Sequence, residues 1–205
     1  GNKTVCISGL AKSGITTWTC ALATSAIDLG KSLLVLDYTD NQDIFDTMVL
    51  NRIKCKQIDM IELLQNCQVE KGVIGVCGLA NEKERKVKSE FLQNFFSRVD
   101  TFDYVFVVTS IDYMEKAVSI VGDMLSKLFL CTSVIQHDVE LMNTYVEKVV
   151  KKAQTMVILN NVVKVMDDSI LLDDKTCKEI LANQCKVVSP IIFEDLHLGA
   201  YFCVK

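Results

Sequence analysis

The chain has 205 residues, half of them hydrophobic, and a formal net charge of −4 at neutral pH. This length suits one domain with a sizeable core, and we predict a single domain over residues 1–205. The acidic balance argues against a partner held mainly by attraction to nucleic acid or anionic lipid. No apolar run approaches the roughly 20 residues that span a bilayer.

The nine cysteines indicate the cellular compartment rather than a metal centre. Their number is odd, none form a C-x-x-C pair, and several lie inside apolar runs such as Val5-Cys6-Ile7. A metal site or a disulfide framework calls for characteristic spacing. We therefore expect free buried thiols in a protein of the reducing cytoplasm.

The first half of the chain alternates strand and helix patterns. Apolar runs closed by turn residues predict strands, and small and apolar residues at helical spacing predict helices. Gly30 is expected to end the first helix, and Asp37 to close the second strand. In chain order, the predicted elements are a strand at 3–8, a helix at 16–29, strand 32–36, helix 58–65, strand 72–78 and helix 82–96.

The second half continues the same alternation. Its clearest strand is Tyr-Val-Phe-Val-Val-Thr at 104–109. The remaining predictions are helix 113–128, strand 130–135, helix 139–152, strand 155–159, helix 174–182 and strand 186–189. Such alternation predicts βαβ units, and hence a doubly wound, mostly parallel sheet with helices on both faces. The expected fold class is a three-layer α/β/α fold.

One stretch near the start carries the strongest chemical signal. Gly9 and Gly14 enclose four residues between a strand and a helix, and Thr16 and Thr17 follow. This is the spacing of the phosphate-binding P-loop, G-x-x-x-x-G-K-[ST], except that Ile15 stands where the lysine belongs. A P-loop holds phosphates partly through backbone N–H groups and a helix N-terminus, which do not depend on side chains.

Beyond the loop itself, the chain resembles the ParA/MinD group of deviant-Walker P-loop ATPases, of the SIMIBI class. Members of that family have Gly-Lys-Gly-Gly-x-Gly-Lys-Thr-Thr, a helix, Leu-Gly-Lys, and an apolar strand ending in Asp-x-Asp. This chain matches that pattern in register and without a gap. The matching segments are Gly9-Leu-Ala-Lys-Ser-Gly-Ile-Thr-Thr17, Leu29-Gly-Lys31 and Leu33-Leu-Val-Leu-Asp37. Segments 102–109, 156–162 and 187–190 resemble later strands of the family.

The resemblance implies ATP and magnesium as cofactors, and either a homodimer or a protein partner. It implies that Thr16 is a magnesium ligand and that Asn160 contacts adenine. The residues expected to bind nucleotide are Gly9, Lys12, Ser13, Gly14, Ile15, Thr16, Thr17, Asp37 and Asn160. Structural alternatives remain for three of them: Lys12 as a solvent-facing loop residue, Asp37 as a strand-end cap, and Asn160 as a polar strand end.

The departures from the family pattern fall on the charged positions. The family's signature lysine falls on Leu10, its Walker lysine on Ile15, and its Walker-B aspartate on Val108. The second acid of Asp-x-Asp falls on Thr39, with Asp40 one residue late. Phosphoryl transfer needs cations to neutralise developing charge, and each missing contact costs ~10²–10³ in rate. We predict a degenerate P-loop, without catalytic residues, that is inactive or very weak as an ATPase.

Three functions are compatible with this pattern. The first is a scaffold or localisation module, similar to the TadZ/CpaE-type proteins of pilus or secretion assembly, which a partner recruits to a membrane or a cell pole. The second is a slow switch that binds ATP through the loop backbone and Lys12, and dimerises when loaded. The third is a DNA-associated partition or mobilisation protein, for which Lys148, Lys151 and Lys152 offer a weak basic surface.

Overall fold

The central feature of the computed structural model is one sheet of parallel strands. The structure describes residues 3–65, 69–79, 84–98, 101–160, 170–181 and 185–189. Within these ranges the sheet has eight strands in the order β3-β4-β2-β5-β1-β6-β7-β8, and each pairing between them is parallel. The strands are β1 (Lys3–Gly9), β2 (Leu33–Tyr38), β3 (Cys55–Gln57), β4 (Ile74–Gly78), β5 (Tyr104–Thr109), β6 (Leu125–Ser133), β7 (Thr155–Asn160) and β8 (Lys186–Val188).

Helices cover both faces of this sheet. The helices in the described ranges are α1 (Ile15–Asp28), α2 (Ile44–Leu50), α3 (Met60–Leu64), α4 (Arg85–Arg98), α5 (Ile111–Val121), α6 (Gln136–Val149) and α7 (Asp174–Leu181). Helices α1 and α2 pack on one face, where Trp18, Leu22 and Met48 join the buried cluster. Helices α3 to α7 contribute to the cluster on the opposite face. The predicted three-layer α/β/α fold is therefore confirmed.

The central strands read as unbroken apolar runs because both of their faces are buried. All six residues of β5 are buried, and β5 lies between β1 and β2. Side chains alternate between the two faces, so Phe106 and Val108 join the cluster under α1 while Val105 and Val107 join the other. This double burial explains why 104–109 was the clearest strand in the sequence.

Two elements between residues 40 and 57 were not predicted, and several predicted boundaries were wrong, most of all around residue 125. Helix α2 and strand β3 are short and largely exposed, so their sequences show little periodicity. The predicted helix 113–128 ends at Val121, because Gly122 takes a positive φ of 57° and breaks the helix. Residues 125–128 belong instead to β6. The ends of two predicted helices, at 82–83 and 182, lie outside the described residues, as do residues 161–162 and 190 of the segments that resemble the family.

Candidate functional site

The loop between β1 and α1 lies at the centre of the sheet's carboxyl edge. Strand β1 pairs with β5 on one side and β6 on the other, which is where open parallel sheets place their ligands. The N–H of Leu10 donates to the Cys131 carbonyl at 3.1 Å, and the N–H of Ser13 donates to the Leu10 carbonyl at 3.2 Å. Residues 9 to 17 thus form a loop together with the first turn of the helix α1 that follows it.

Both glycines of the motif occupy positions that a side chain would disturb. A Cβ on Gly9 would lie 2.5 Å from the Cys131 carbonyl oxygen, so β1 and β6 could not keep their present approach. Gly14 has φ of 89°, and a Cβ there would lie 2.9 Å from Nδ2 of Asn160. The glycine spacing read from the sequence therefore reflects real steric and conformational requirements.

The N-terminus of α1 has the features of an anion site. Gly14 precedes the helix and offers no side chain to cap its first N–H groups. Ser13 is 2% exposed, and its Oγ is one of four buried side-chain polar atoms in the described ranges without a hydrogen-bond partner. Uncapped helix N–H groups and a free buried hydroxyl are suited to hold a phosphate.

Apolar residues at the three positions that carry charge in the family are part of the protein core. Leu10 is 5% exposed and belongs to the cluster under α3 to α7. Val108 is fully buried under α1, and Ile15 packs against the same cluster. These side chains make apolar core contacts at the positions where a phosphate or metal site would need charged groups.

Two of the predicted nucleotide-binding residues are exposed, Lys12 in the loop and Thr17 in the first turn of α1. Lys12 takes a positive φ of 59°, so its backbone contributes to the turn of the loop. Asn160 ends β7 beside Gly14, which brings it to the loop as expected. The structure thus brings Gly9, Lys12, Ser13, Gly14, Ile15, Thr16, Thr17 and Asn160 together, and their binding of nucleotide remains a prediction.

Asp37 ends up in a tight network of hydrogen bonds at the end of β2. It is 2% exposed, and its Oδ1 accepts from the Thr39 N–H at 2.9 Å and from the Thr39 hydroxyl at 2.6 Å. The Gln42 amide donates to the Asp37 carbonyl at 2.7 Å and to the Thr39 carbonyl at 2.8 Å. These contacts agree with the structural alternative for Asp37, a strand-end cap.

The electrostatics of Asp37 are set mainly by burial. Burial raises the pKa of its carboxyl group, the Thr39 hydrogen bonds and the Ile44 N–H lower it, and the nearby Asp43 carboxylate raises it. Two carboxyl groups therefore lie close together beside the start of α1. In the sequence, Asp43 lies in a polar stretch that follows the buried strand β2. This position was the only sign in the sequence that Asp43 belongs to the site.

Thr16, the predicted magnesium ligand, contacts Asp43. Its Oγ1 donates to Oδ1 of Asp43 at 2.9 Å. A hydroxyl and a carboxylate are oxygen donors of the kind magnesium prefers, and magnesium commonly takes only one or two protein carboxylates besides phosphate and water. No group of three or more His, Cys, Asp or Glu side chains in the described ranges could hold a metal ion. The residues present fit magnesium only as a site shared with a nucleotide.

The basic residues considered for DNA binding do not form one helical face. Helix α6 ends at Val149, so Lys151 and Lys152 lie beyond it rather than within the predicted helix 139–152. Lys148 forms an ion pair with Glu115 at 3.5 Å, and its Nζ lies 5.3 Å from the ring centroid of Tyr145. Of the three lysines, only Lys148 therefore lies on the helix, and its charge is paired with Glu115.

The described cysteines are free, as the sequence predicted. Cys6, Cys20, Cys77, Cys131 and Cys177 are buried, and Cys55 and Cys185 are partly exposed. Burial raises the pKa of both Cys6 and Cys131 to about 12, which keeps these thiols protonated and unreactive. Cys67 and Cys203 lie outside the described residues.

Comparison with solved protein structures identifies the fold of this chain. No protein-family model matches the chain, and no curated protein sequence does. A putative plasmid partition protein from Borrelia burgdorferi B31 bound to AMPPNP matches 98% of this chain and 90% of its own, at 14% identity and a TM-score of 0.61. A ParA family ATPase from Chlorobium tepidum TLS matches 99% and 89%, at 13% identity and a TM-score of 0.63.

A third match comes from the MinC:MinD cell division protein complex of Aquifex aeolicus. It covers 99% of this chain and 86% of that chain, at 16% identity and a TM-score of 0.61. The fold is thus that of the P-loop nucleotide-binding proteins. More narrowly, it is the ParA/MinD version of that fold, matched over nearly the whole chain. None of the helices in the described ranges combines the length and the hydrophobicity that a membrane-spanning segment needs.

Proposed function

We propose that this chain is a single ParA/MinD-like domain with a degenerate P-loop, which does not turn over ATP at a useful rate and acts as a scaffold or localisation module. The observation that carries this proposal is that Leu10 and Val108 are buried in the two core clusters and that the half-buried Ile15 packs against one of them. Residues that build the core cannot also supply the cations and the metal support that phosphoryl transfer requires.

A scaffold of this kind would act through protein partners or a second copy of itself. The Aquifex aeolicus structure contains MinD together with MinC, so the fold is compatible with a protein partner. We propose that the protein works in the cytoplasm and is recruited by its partner to a membrane or cell pole, for example during assembly of pilus or secretion machinery.

The test of the first proposal is phosphate release from ATP in excess magnesium, for the wild-type chain and Gly14→Val. Valine at Gly14 is incompatible with its φ of 89° and with the nearby Asn160, so this variant disables the loop. We expect both proteins to release phosphate at the same background rate. Saturable release by the wild-type chain that Gly14→Val abolishes would contradict the proposal.

A second candidate function is a nucleotide-binding switch without efficient hydrolysis. It is favoured by the uncapped start of α1, the unpaired Ser13 hydroxyl and the exposed Lys12 beside it. ATP titration by calorimetry tests it, with Lys12→Ala as the informative variant and Lys31→Ala, beyond the far end of α1, as the matched control. Binding that weakens only in Lys12→Ala supports the switch, and no heat at millimolar ATP removes it.

A further inference from the structure

The outer edge of the sheet at β3, the β3 edge, is open in the part of the chain that the structure describes. β3 is the end strand of the sheet and pairs with β4. The carbonyl of Lys54 accepts from β4 at 3.0 Å, and the N–H of Ile58 donates to β4 at 2.8 Å. Because backbone groups alternate in direction along a strand, the N–H and C=O groups of Cys55 and Gln57 point away from β4. No strand of the described ranges pairs with these groups.

Large apolar side chains are exposed on both sides of this edge. Val49 and Leu50, at the end of α2, have exposed fractions of 53% and 83%, and Ile61 in α3 is 70% exposed. They are three of the eight large hydrophobic residues that are exposed in the described ranges, although α2 and α3 are both short. The Arg52 N–H donates to the Val49 carbonyl at 3.1 Å, which holds the end of α2 close to the start of β3. Apolar side chains grouped at an open edge indicate a contact with another protein.

The β3 edge is also basic, although the whole chain has a formal net charge of −4. Arg52, Lys54 and Lys56 are exposed at alternate positions. Lys56 forms an ion pair with Glu62 at 3.4 Å, and pairs as exposed as this one contribute little to stability. Asp59 caps α3 by accepting from the Glu62 N–H at 2.6 Å. Within the described ranges Arg52 and Lys54 form no ion pair, so both can meet a carboxylate from a partner.

The two faces of the sheet offer different chemistry at this edge. Cys55 packs against the cluster under α1 and α2, whereas Ile58 belongs to the cluster under α3 to α7. Since side chains alternate along a strand, Lys54 and Lys56 lie on the same face as Ile58. The other face has the exposed apolar end of α2. A strand added beside β3 would therefore need acidic side chains on one face and apolar side chains on the other, in alternation.

A second copy of this chain is a poor partner for the β3 edge. Two β3 strands paired with each other would bring the lysines of both copies together, and like charges across strands are destabilising. Short edge strands that carry lysine are a common defence against such self-pairing. The same lysines attract a strand that carries carboxylates, so the charge selects an acidic partner.

We propose that the β3 edge binds an extended segment of a partner protein in which acidic and apolar residues alternate. The segment adds a strand to the sheet, and its backbone bonds to Cys55 and Gln57. Its carboxylates lie beside Lys54 and Lys56, and its apolar side chains pack on the end of α2. The inference rests on the scaffold function proposed above, for which it names a contact surface and a class of partner.

The experiment measures the binding of fluorescein-labelled peptides by fluorescence polarisation. The probe peptide alternates glutamate and valine. One control peptide has the same composition in two separate blocks, and a second has lysine in place of each glutamate. A third keeps the sequence of the probe but has N-methylated backbone amides, which cannot donate the hydrogen bonds of a strand.

Four variants of the protein test the two faces of the edge. Lys54→Glu reverses a charge and Leu50→Ser removes an apolar contact. Lys116→Glu on α5 and Leu141→Ser on α6 make the same changes at other exposed positions and are the matched controls. Circular dichroism melting curves check that each variant folds.

We expect the alternating peptide to bind the wild-type chain with a dissociation constant below about 1 mM, and the three control peptides to show no measurable binding. Lys54→Glu should weaken binding about fivefold, because an attraction across strands becomes a repulsion. Leu50→Ser should weaken it about tenfold, because the apolar contact is lost. Lys116→Glu and Leu141→Ser should bind like the wild-type chain.

The proposal is overturned if the alternating peptide does not bind, if the block or N-methylated peptide binds equally well, or if Lys54→Glu behaves like Lys116→Glu. Self-association of the chain that Leu50→Ser abolishes, measured by sedimentation, would assign the edge to a second copy and also overturn it. These results leave the scaffold proposal standing, because a scaffold can use another surface. ATP turnover, in contrast, would contradict the scaffold proposal and leave the peptide site intact.

Discussion

The two polar loops at the carboxyl edge of the sheet, residues 9–17 and 37–43, differ in how their side chains are used. In the first loop the Ser13 hydroxyl is buried without a partner, and the first N–H groups of α1 are uncapped. In the second loop Asp37, Thr39 and Gln42 bond to one another and to the backbone. The first loop is built to receive a ligand, and most of the second is built to support itself.

The difference between the two loops bears differently on phosphate binding and on phosphoryl transfer. Phosphate can be held by backbone groups of the first loop alone, whereas phosphoryl transfer needs several charged side chains, of which β5 offers none and the first loop only the exposed Lys12. Asp43 is the exception, since it reaches from the second loop to Thr16 in the first. The comparison therefore predicts different consequences for changes in the core, in the first loop and in the second.

The largest effect is expected when a charge is placed where the fold has put core. Val108→Asp would put a carboxylate at a fully buried position, at a cost of about 3–5 kcal/mol in the free energy of unfolding. Thr17→Asp adds the same charge at an exposed position in the first turn of α1 and should change stability by less than about 0.5 kcal/mol. Urea denaturation measures both, and equal stabilities would mean that position 108 can accommodate the acid.

A smaller effect is expected when the backbone geometry of the first loop is disturbed. Gly9→Ala brings a methyl group to 2.5 Å from the Cys131 carbonyl oxygen, a backbone atom that cannot move independently. We expect a loss of about 3 kcal/mol. Gly30, unlike Gly9, has a positive φ, of 72°, but a Cβ there would meet nothing within 4 Å, so Gly30→Ala should lose only about 1 kcal/mol. Thermal unfolding compares the two, and a Gly30→Ala loss as large as that of Gly9→Ala would contradict the close approach of β1 and β6.

The smallest effect concerns the second loop and depends on pH. Because the pKa of Asp37 is raised from its ordinary value of 3.8, its folded form binds a proton more tightly than its unfolded form. The resulting stability is fully present below pH 3.8 and is lost as pH rises through the folded pKa. In Asp37→Asn, the amide oxygen can still accept from Thr39 and no charge is buried.

The stability of Asp37→Asn relative to the wild-type chain should therefore increase as pH rises from below 3.8 towards neutral. Urea denaturation at several pH values measures the difference, and Asp40→Asn, an exposed residue of the same loop, is the control. A difference that does not change with pH, or that changes in the opposite direction, would show that burial does not dominate at Asp37.

The sequence was sufficient for the fold because the local signals agree with the tertiary structure. The runs at 33–36 and 104–108 are hydrophobic, as strands buried on both faces must be. Gly9 and Gly14 mark the turn into α1 because no other residue fits there. Prediction from the sequence failed at α2 and β3, where packing against the core is weak. It also failed around Leu125, where a long apolar stretch could either extend a helix or begin a strand.

What the sequence determined by itself is the parallel α/β sheet and the P-loop backbone, since periodicity and glycine spacing are local properties of the chain. Only the tertiary structure decided that Leu10 and Val108 are core residues, that Asp37 is bound within its own loop, and that Asp43 reaches Thr16. These facts depend on contacts between segments distant in sequence. Thr16 and Asp43 are 27 residues apart, and no local pattern predicts that folding brings them within hydrogen-bond distance.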